Sequence, residues 1–320
     1  MMGFDRAIHR ATEVSPKNQA GIMPVRNKQT YLDVSDYSVS QQDWSVHTNQ
    51  FGSGRFKATH EMLRIGQITI ARERINMAVT QDTSSPRDQL CLLFPRQSHH
   101  GWRVNAHYES EAVVAMRRGG TELLIQQSGE SEIINVELPL KLAGTENRSP
   151  SVESRPISPY DVQLVDWLNC LLAQDEPMTI EMAEALEDIL FMRLMHCQHL
   201  FHSTVRMNLT RPALVDLLKK IEHHLKNDDQ QPSNLAALAQ ALQTTPAEIT
   251  SALQRAYGYK ADYWFRIRRL NGARQALIRA KHKNAVTGTA TQWGFFHLGR
   301  FSMEYKALFG EGPNETLRSR

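Results

Sequence analysis

Cysteine is scarce: Cys91, Cys170 and Cys197 are the three in 320 residues. Their odd number, wide spacing and lack of a CxxC pair exclude a disulfide framework and a zinc knuckle and leave reduced structural thiols. Long apolar runs are missing too. No stretch approaches the roughly 18 residues of a membrane span. The N-terminus, "MMGFDRAIHRATEVSPKNQAG", carries charges where a signal peptide needs an apolar segment. A cytoplasmic protein without membrane contact is expected. The chain also lacks a nucleophile motif, a phosphate loop and a carboxylate pair at catalytic spacing. Neither an enzyme nor a cofactor is therefore expected, and "RRGGTE" reads as a Gly-Gly turn between strands.

What is present is ordinary globular chemistry, 41% hydrophobic and 22% charged, in a chain long enough for two separate cores. The formal charge of +3 hides an asymmetry. Residues 211–320 hold 17 Lys plus Arg against 9 Asp plus Glu, a net of +8, which leaves 20 against 25, or −5, for residues 1–210. A basic third on an acidic body suits a polyanion-binding module joined to a domain of another kind.

The expected fold class is α+β. Residues 1–30 lack periodicity and read as a mobile arm. Residues 31–205 read as a separate domain. Its first part, to about residue 142, is a run of short β-branched and aromatic pieces such as "QLCLLFP" and "EIINVELPL", separated by turn residues. That pattern predicts a meandering sandwich or small barrel. The polar, proline-bearing stretch 144–159 reads as a linker, and residues 160–203 as two helices, the first with Leu164, Trp167, Leu168, Leu171 and Leu172 on its apolar stripe and the second with Met182, Leu186, Ile189, Leu190 and Leu194. Part of that helical surface is a candidate dimer face.

Residues 211–320 predict an all-helical domain containing a repeat. Ala239, Leu242, Ile249, Leu253 and Gly258 recur as Ala290, Trp293, Phe301, Tyr305 and Gly310, at offsets of 51 residues for the first two positions and 52 for the rest. Each copy, about 235–258 and 286–310, has the parts of a helix-turn-helix. In the first, Thr245 is a natural N-cap, Pro246 suits the first helical position and Glu248 completes a capping box. Ala247, Thr250, Ser251, Gln254 and Arg255 are then left exposed. In the second, Gly294 permits the turn, Leu298, Phe301, Tyr305 and Leu308 form the buried stripe, and His297, Gly299, Arg300 and Met303 face outward. Arg300 suits a phosphate or guanine and Met303 a thymine methyl. The helix between the copies predicts a rod about 30 Å long, near one turn of DNA, which would let both second helices enter successive major grooves. Arg266, Arg268, Arg269, Arg274, Arg279, Lys281 and Lys283 lie on or beside it, and most of them read as solvated or phosphate-facing, with Arg269 also a candidate for an internal ion pair.

"LAALAQALQTTPAEITSALQRAYGYKADYWFRIRRLNGARQAL" followed by "TQWGFFHLGRFSMEYKALFGEGPNETLR" resembles the AraC/XylS family of bacterial transcription regulators, over roughly residues 211–320. "QWGFFHLGRF" is similar to regulators of ethanolamine utilisation and more loosely to the benzoate-sensing XylS branch. The resemblance implies double-stranded promoter DNA and RNA polymerase as partners, a homodimer, a small-molecule effector and control of transcription initiation. Two departures stand out. Family members often carry a bulky or basic residue where Ala247, Thr250 and Ser251 stand, so base readout by the first copy is expected to be modest. Gly288 and Thr289 replace a helix former and a buried aliphatic, so the second copy is expected to be the less stable.

Arg74, Phe94, Trp102 and Glu122 are the candidate effector-binding residues if the β-domain is a cup. Two alternatives stay open for that domain: a dimeriser or protein-partner module without a ligand, and a metal-dependent cupin-like enzyme. His99 and His100 are the nearest to ligands for the latter, without the His-x-His and later Glu spacing. His196, Cys197, His199 and His202 spread around a helix rather than converge, and no metal site is expected.

Overall fold

A computed structural model describes residues 24–39, 44–98, 101–109, 113–204, 206–209, 212–227, 235–280 and 285–318. The N-terminal domain is built on two antiparallel sheets. The larger runs β1 (Val25–Tyr31), β3 (Ala58–Ile65), β4 (Ile68–Ile75), β11 (Ser131–Pro139), β6 (Gln89–Ser98), β9 (Val113–Arg118), β12 (Val152–Pro156) and β13 (Met207–Asn208), in that spatial order. The smaller runs β2 (Ser45–Gln50), β5 (Val79–Ser84), β10 (Glu122–Gln127), β7 (Trp102–Val104) and β8 (His107–Glu109). The expected sandwich is present. It is not a meander, because β11 inserts between β4 and β6.

Alternation along the strands assigns the two faces of the larger sheet. Leu63, Ile70, Leu92, Phe94, Met116, Ile134 and Val136 pack under α2 (Pro159–Ala173) and α3 (Ile180–Ser203), together with Leu164, Leu168, Leu190 and Leu194. Cys91, Leu93 and Ala115 point the other way and meet Trp102, Val104, Leu123 and Ile125 of the smaller sheet.

Two boundaries need correction. The arm expectation falls partly on residues 1–23, outside the described residues, but 25–30 belong to β1, an edge strand paired residue for residue with β3. The stretch 144–159 is not only a linker, since β12 pairs with β9 inside it. Its polarity serves a buried fork: Arg155 meets Asp161 at 2.6 and 2.7 Å, with both side chains fully buried. Asp161 also closes the Ser158 capping box that starts α2. Polar composition therefore hid a strand and a helix cap that satisfy each other.

The C-terminal domain comprises α4 (Pro212–Asn227), α5 (Leu235–Ala241), α6 (Pro246–Tyr257), α7 (Ala261–Arg279), α8 (Ala285–Gln292), α9 (Leu298–Phe309) and α10 (Pro313–Arg318). Trp264, Leu270, Ala273 and Leu277 of α7 form the spine of a core that takes in Ile249, Leu253, Ala290, Phe301 and Tyr305. Phe51 and Leu124 of the N-terminal domain belong to this same core, so the two domains are packed together.

Candidate nucleic-acid interface

The repeat is reproduced down to single hydrogen bonds. In the first turn Gln243 N–H donates to Gln240 O and Thr244 N–H to Ala239 O; in the second, Gly294 N–H donates to Thr291 O and Phe295 N–H to Ala290 O, each position 51 residues on. Gln243 and Gly294 both take left-handed backbone, with φ of 53° and 75°. Gly258 and Gly310 end α6 and α9 in the same conformation, φ 74° and 71°, where the missing Cβ avoids strain. Gly272 has another role. A Cβ there would lie 2.1 Å from the Trp293 ring, so this residue lets α7 accept the end of α8.

In the first unit the capping box forms as its sequence requires: Thr245 accepts from Glu248 N–H at 3.2 Å, and Glu248 accepts from Thr245 N–H at 3.0 Å. Hydrogen bonds from Thr244 and Thr245 hold the Glu248 carboxyl below the usual range. Ala247, Thr250, Ser251, Gln254 and Arg255 are all exposed. Two of them are engaged internally, Thr250 Oγ1 donating to Pro246 O at 2.8 Å and Gln254 Nε2 to Gly258 O at 3.1 Å.

In the second unit His297 is the N-cap of α9 but makes no side-chain capping bond. Gly299, Arg300 and Met303 stand exposed beside it. Arg300 Nε meets Glu304 at 2.8 Å, a solvent-exposed pair of the kind contributing at most about 1 kcal/mol and easily exchanged for an anion. The buried stripe differs from expectation. Leu298 is 39% exposed, and Phe309 joins Phe301, Tyr305 and Leu308 inside. As the first residue of α9, Leu298 precedes the turn that meets α7. Phe296, which sequence reasoning passed over, is 78% exposed.

The rod is α7, whose 19 residues give a length of about 28 Å. Its arginines are not all turned to solvent. Arg268 is buried against Glu222 of α4 and Asn49 of β2, with Nε 2.8 Å from Glu222. Arg274 bonds Asp33 at 2.6 Å and Glu311 at 2.7 Å. Burial disfavours the Arg274 charge, but these carboxylates more than offset it and hold the group firmly protonated. Arg269 lies over the Phe295 ring at 5.4 Å, and burial lowers its pKa. These three are structural, which leaves Lys219, Lys220, Arg255, Lys260, Arg279, Arg300, Lys306 and Arg318 as the exposed cations among the described residues of this domain.

A polar seam joins the rod to the N-terminal domain. Asn271 copies a strand neighbour at the end of β2, accepting from Gln50 N–H at 3.0 Å and donating to Gln50 O at 2.9 Å. Phe51 stacks on Tyr259 with centroids 4.6 Å apart. Tyr257 Oη donates to Asp82 at 3.1 Å, and burial raises its pKa well above the ordinary value. Gly54 N–H and Gln50 Nε2 donate to Leu308 O at 2.9 and 2.7 Å. The N-terminal domain thus grips the C-terminal ends of α6 and α9 and one side of α7, while the outward faces of α6 and α9 stay open.

The four candidate effector residues do not converge. Arg74 is ion-paired with Glu132 on the surface, Phe94 is fully buried under α2 and α3, Trp102 lies in the core between the sheets, and Glu122 is ion-paired with Lys219 of α4. None lines the large cavity, about 630 Å³, on the face of the larger sheet turned away from α2 and α3. Tyr31, Trp44, His60, Met62, Thr69 and Glu137 are among its lining. Burial raises the Glu137 carboxyl to about 7, against the opposing hydrogen bond from Trp44 and the charge of Arg117. Strand spacing could have named the cavity side chains as inward-facing, but not which inward positions stay unfilled. His99 and His100 lie outside the described residues. Among the described residues no group of three potential ligands gathers to hold a metal, and no helix is long and apolar enough to cross a membrane.

Comparison with known proteins agrees with this geometry. Residues 238–319 match a helix-turn-helix domain family. The chain is 33% identical over 115 residues to a probable thc operon regulatory protein of Rhodococcus erythropolis, covering 36% of this chain and 35% of that one. It is 32% identical over 110 residues to a XylDLEGF operon transcriptional activator of Pseudomonas putida, covering 34% and 32%. The match thus spans about a third of the length of these relatives. Among solved structures, the AraC-like transcriptional activator CuxR aligns over 84% of this chain and 100% of its own, at 15% identity and a TM-score of 0.43. These relatives are operon regulators of the thc and Xyl kind rather than of ethanolamine utilisation. Residues 238–319 are therefore the part of this chain that matches a helix-turn-helix domain.

Proposed function

We propose that the chain is a one-component regulator that binds double-stranded promoter DNA through both helix-turn-helix units and controls transcription initiation in response to a small molecule. One observation carries this reading: the outward faces of α6 and α9 are open while the seam with the sensor holds the other ends of the same helices. A sensor attached there can change how the two units are held without covering what they read. The 630 Å³ cavity is our candidate effector site, because Tyr31 and Trp44 in its wall adjoin the elements that carry Asp33 and Asn49 to α7. A ligand acts through such a seam only if it favours one arrangement over the other.

The wider reading includes a cytoplasmic location, RNA polymerase as a further partner, and a homodimer. Exposed Met182, Ile189 and Met192 on α3 supply a dimer face. That face equally favours a sensor serving as a dimeriser without ligand. Kinship with ethanolamine-utilisation regulators rests on the "QWGFFHLGRF" motif.

The test is selection of genomic fragments by the full-length protein across a series of salt concentrations. A few enriched promoters are expected, and diffuse binding at all salt concentrations defeats the reading. Arg300→Ala should then weaken the selected site by about 1–3 kcal/mol if the side chain contacts a base. If it contacts phosphate, all sequences weaken alike and the salt slope becomes shallower. No change in either assay removes Arg300 from the interface.

A further inference from the structure

The segment entering the second recognition helix contains an apolar side chain that the fold does not use. Phe296 directly precedes the N-cap His297. An apolar residue at that place commonly packs back on the fourth helical residue, here Phe301, and fixes the entry of the chain. In this protein Phe295 makes that contact, with ring centroids 5.0 Å apart, and Phe296 is left 78% exposed.

It is not alone. Among the described residues of the C-terminal domain, the large apolar side chains that are exposed are Phe296, Leu298 and Met303, and all three belong to this one unit. The first unit presents none, only Ala247, Thr250, Ser251, Gln254 and Arg255. On α9, Met303 follows Gly299 and Arg300 at spacings of four and three and shares their outward face, and Phe296 stands exposed in the turn just before the start of that helix. A Cβ at Gly299 would touch nothing within 4 Å, so the fold itself does not require glycine there. A bare backbone between two apolar groups, beside an exposed arginine, fits a surface that approaches closely and offers both negative charge and apolar points. The major groove offers both, and its apolar points are the 5-methyl groups of thymine.

We infer that Phe296 reads thymine methyl groups in the major groove, making the second unit the one that specifies thymine at its half-site. This rests on the DNA-binding reading above. It goes beyond that reading by naming the base, the group on it and Phe296 as a specificity residue.

The test uses the full-length protein and a random 30-base-pair duplex library prepared twice, once with thymine and once with deoxyuridine, which lacks only the methyl group. We expect a motif to be enriched from the thymine library. Replacing thymine with deoxyuridine at two or more positions of one half-site should weaken binding about fourfold per position, the effect of removing one methyl-sized group from an apolar contact. Phe296→Ala should abolish this methyl dependence at that half-site while leaving the other half-site unchanged, and Phe296→Leu should retain part of it. Because Phe296 is solvent-exposed, the alanine variant should keep the wild-type melting temperature. Equal enrichment from both libraries overturns the inference while leaving a sequence-specific regulator standing, and so does a methyl dependence that survives Phe296→Ala. Enrichment from neither library sinks the DNA-binding reading and the inference with it.

Discussion

The two helix-turn-helix units share a backbone and divide their strengths. The first has a complete capping box at Thr245 and Glu248 and an anchor through Tyr257 to Asp82, yet it offers small side chains outward. The second starts its recognition helix without a side-chain cap and carries an exposed glycine, Gly288, in its supporting helix, yet it presents Phe296, Arg300 and Met303. Each also carries a different local weakness. The first bends its turn at Gln243, a side chain in left-handed backbone, where the second has Gly294. The first unit is the better capped and the second presents the larger outward side chains, and the duplicated fold permits this because its core positions are separate from its outward ones.

The largest change should erase the comparison. Arg268→Ala leaves Glu222 buried without its partner, a loss of about 3–5 kcal/mol. Because α7 serves both units, denaturant unfolding should show the two lost together. If hydrogen exchange shows only one unit loosening, α7 is not their common spine. Gly272→Ala should instead break the second unit alone. The new Cβ meets the Trp293 ring, overpacking of a kind that costs about 1–3 kcal/mol. Amides of 285–309 should exchange faster while those of 246–257 hold.

Thr245→Ala acts on the other side of the comparison, removing the first unit's cap for about 1 kcal/mol, read as faster exchange confined to the start of α6. The smallest effects sharpen the contrast by repairing each weakness in turn. Gly288 has open space where a Cβ would go and no left-handed backbone, so Gly288→Ala should stabilise the second unit by about 0.5–1 kcal/mol. Gln243→Gly should relieve the first turn by about 0.5 kcal/mol, the release of left-handed strain less the added freedom of the unfolded chain. A drop in melting temperature for either repair contradicts the weakness assigned to it.

Much of this was legible in the sequence. Thr245, Pro246 and Glu248 announced a helix start, Gly258 and Gly310 announced helix ends, and a 51- to 52-residue recurrence announced the duplication. The outward positions of both recognition helices followed from period alone, and they are exposed as expected. Leu298 failed because period does not say where a helix begins to touch its neighbour. Arg268 and Arg274 were misread because a basic residue on a basic helix looks solvated until its carboxylate is found, and Asp33 lies 241 residues before Arg274. The effector residues failed for a related reason. Alternation marks Phe94 and Trp102 as inward, but whether an inward side chain fills space or borders it depends on what the facing strands and helices contribute.

The sequence by itself determined the helices, their caps and turns, the strands of the sandwich and the repeated reading module, since these depend on contacts within a few residues and on periodicity. Only the tertiary structure decided which arginines are interior, that β12 runs through a polar stretch, where the N-terminal domain keeps its cavity, and that Asn271 completes the edge of a strand 221 residues away. Those outcomes depend on partners distant in the chain, whose identity is fixed when the two domains pack and buried charge and backbone must be satisfied together.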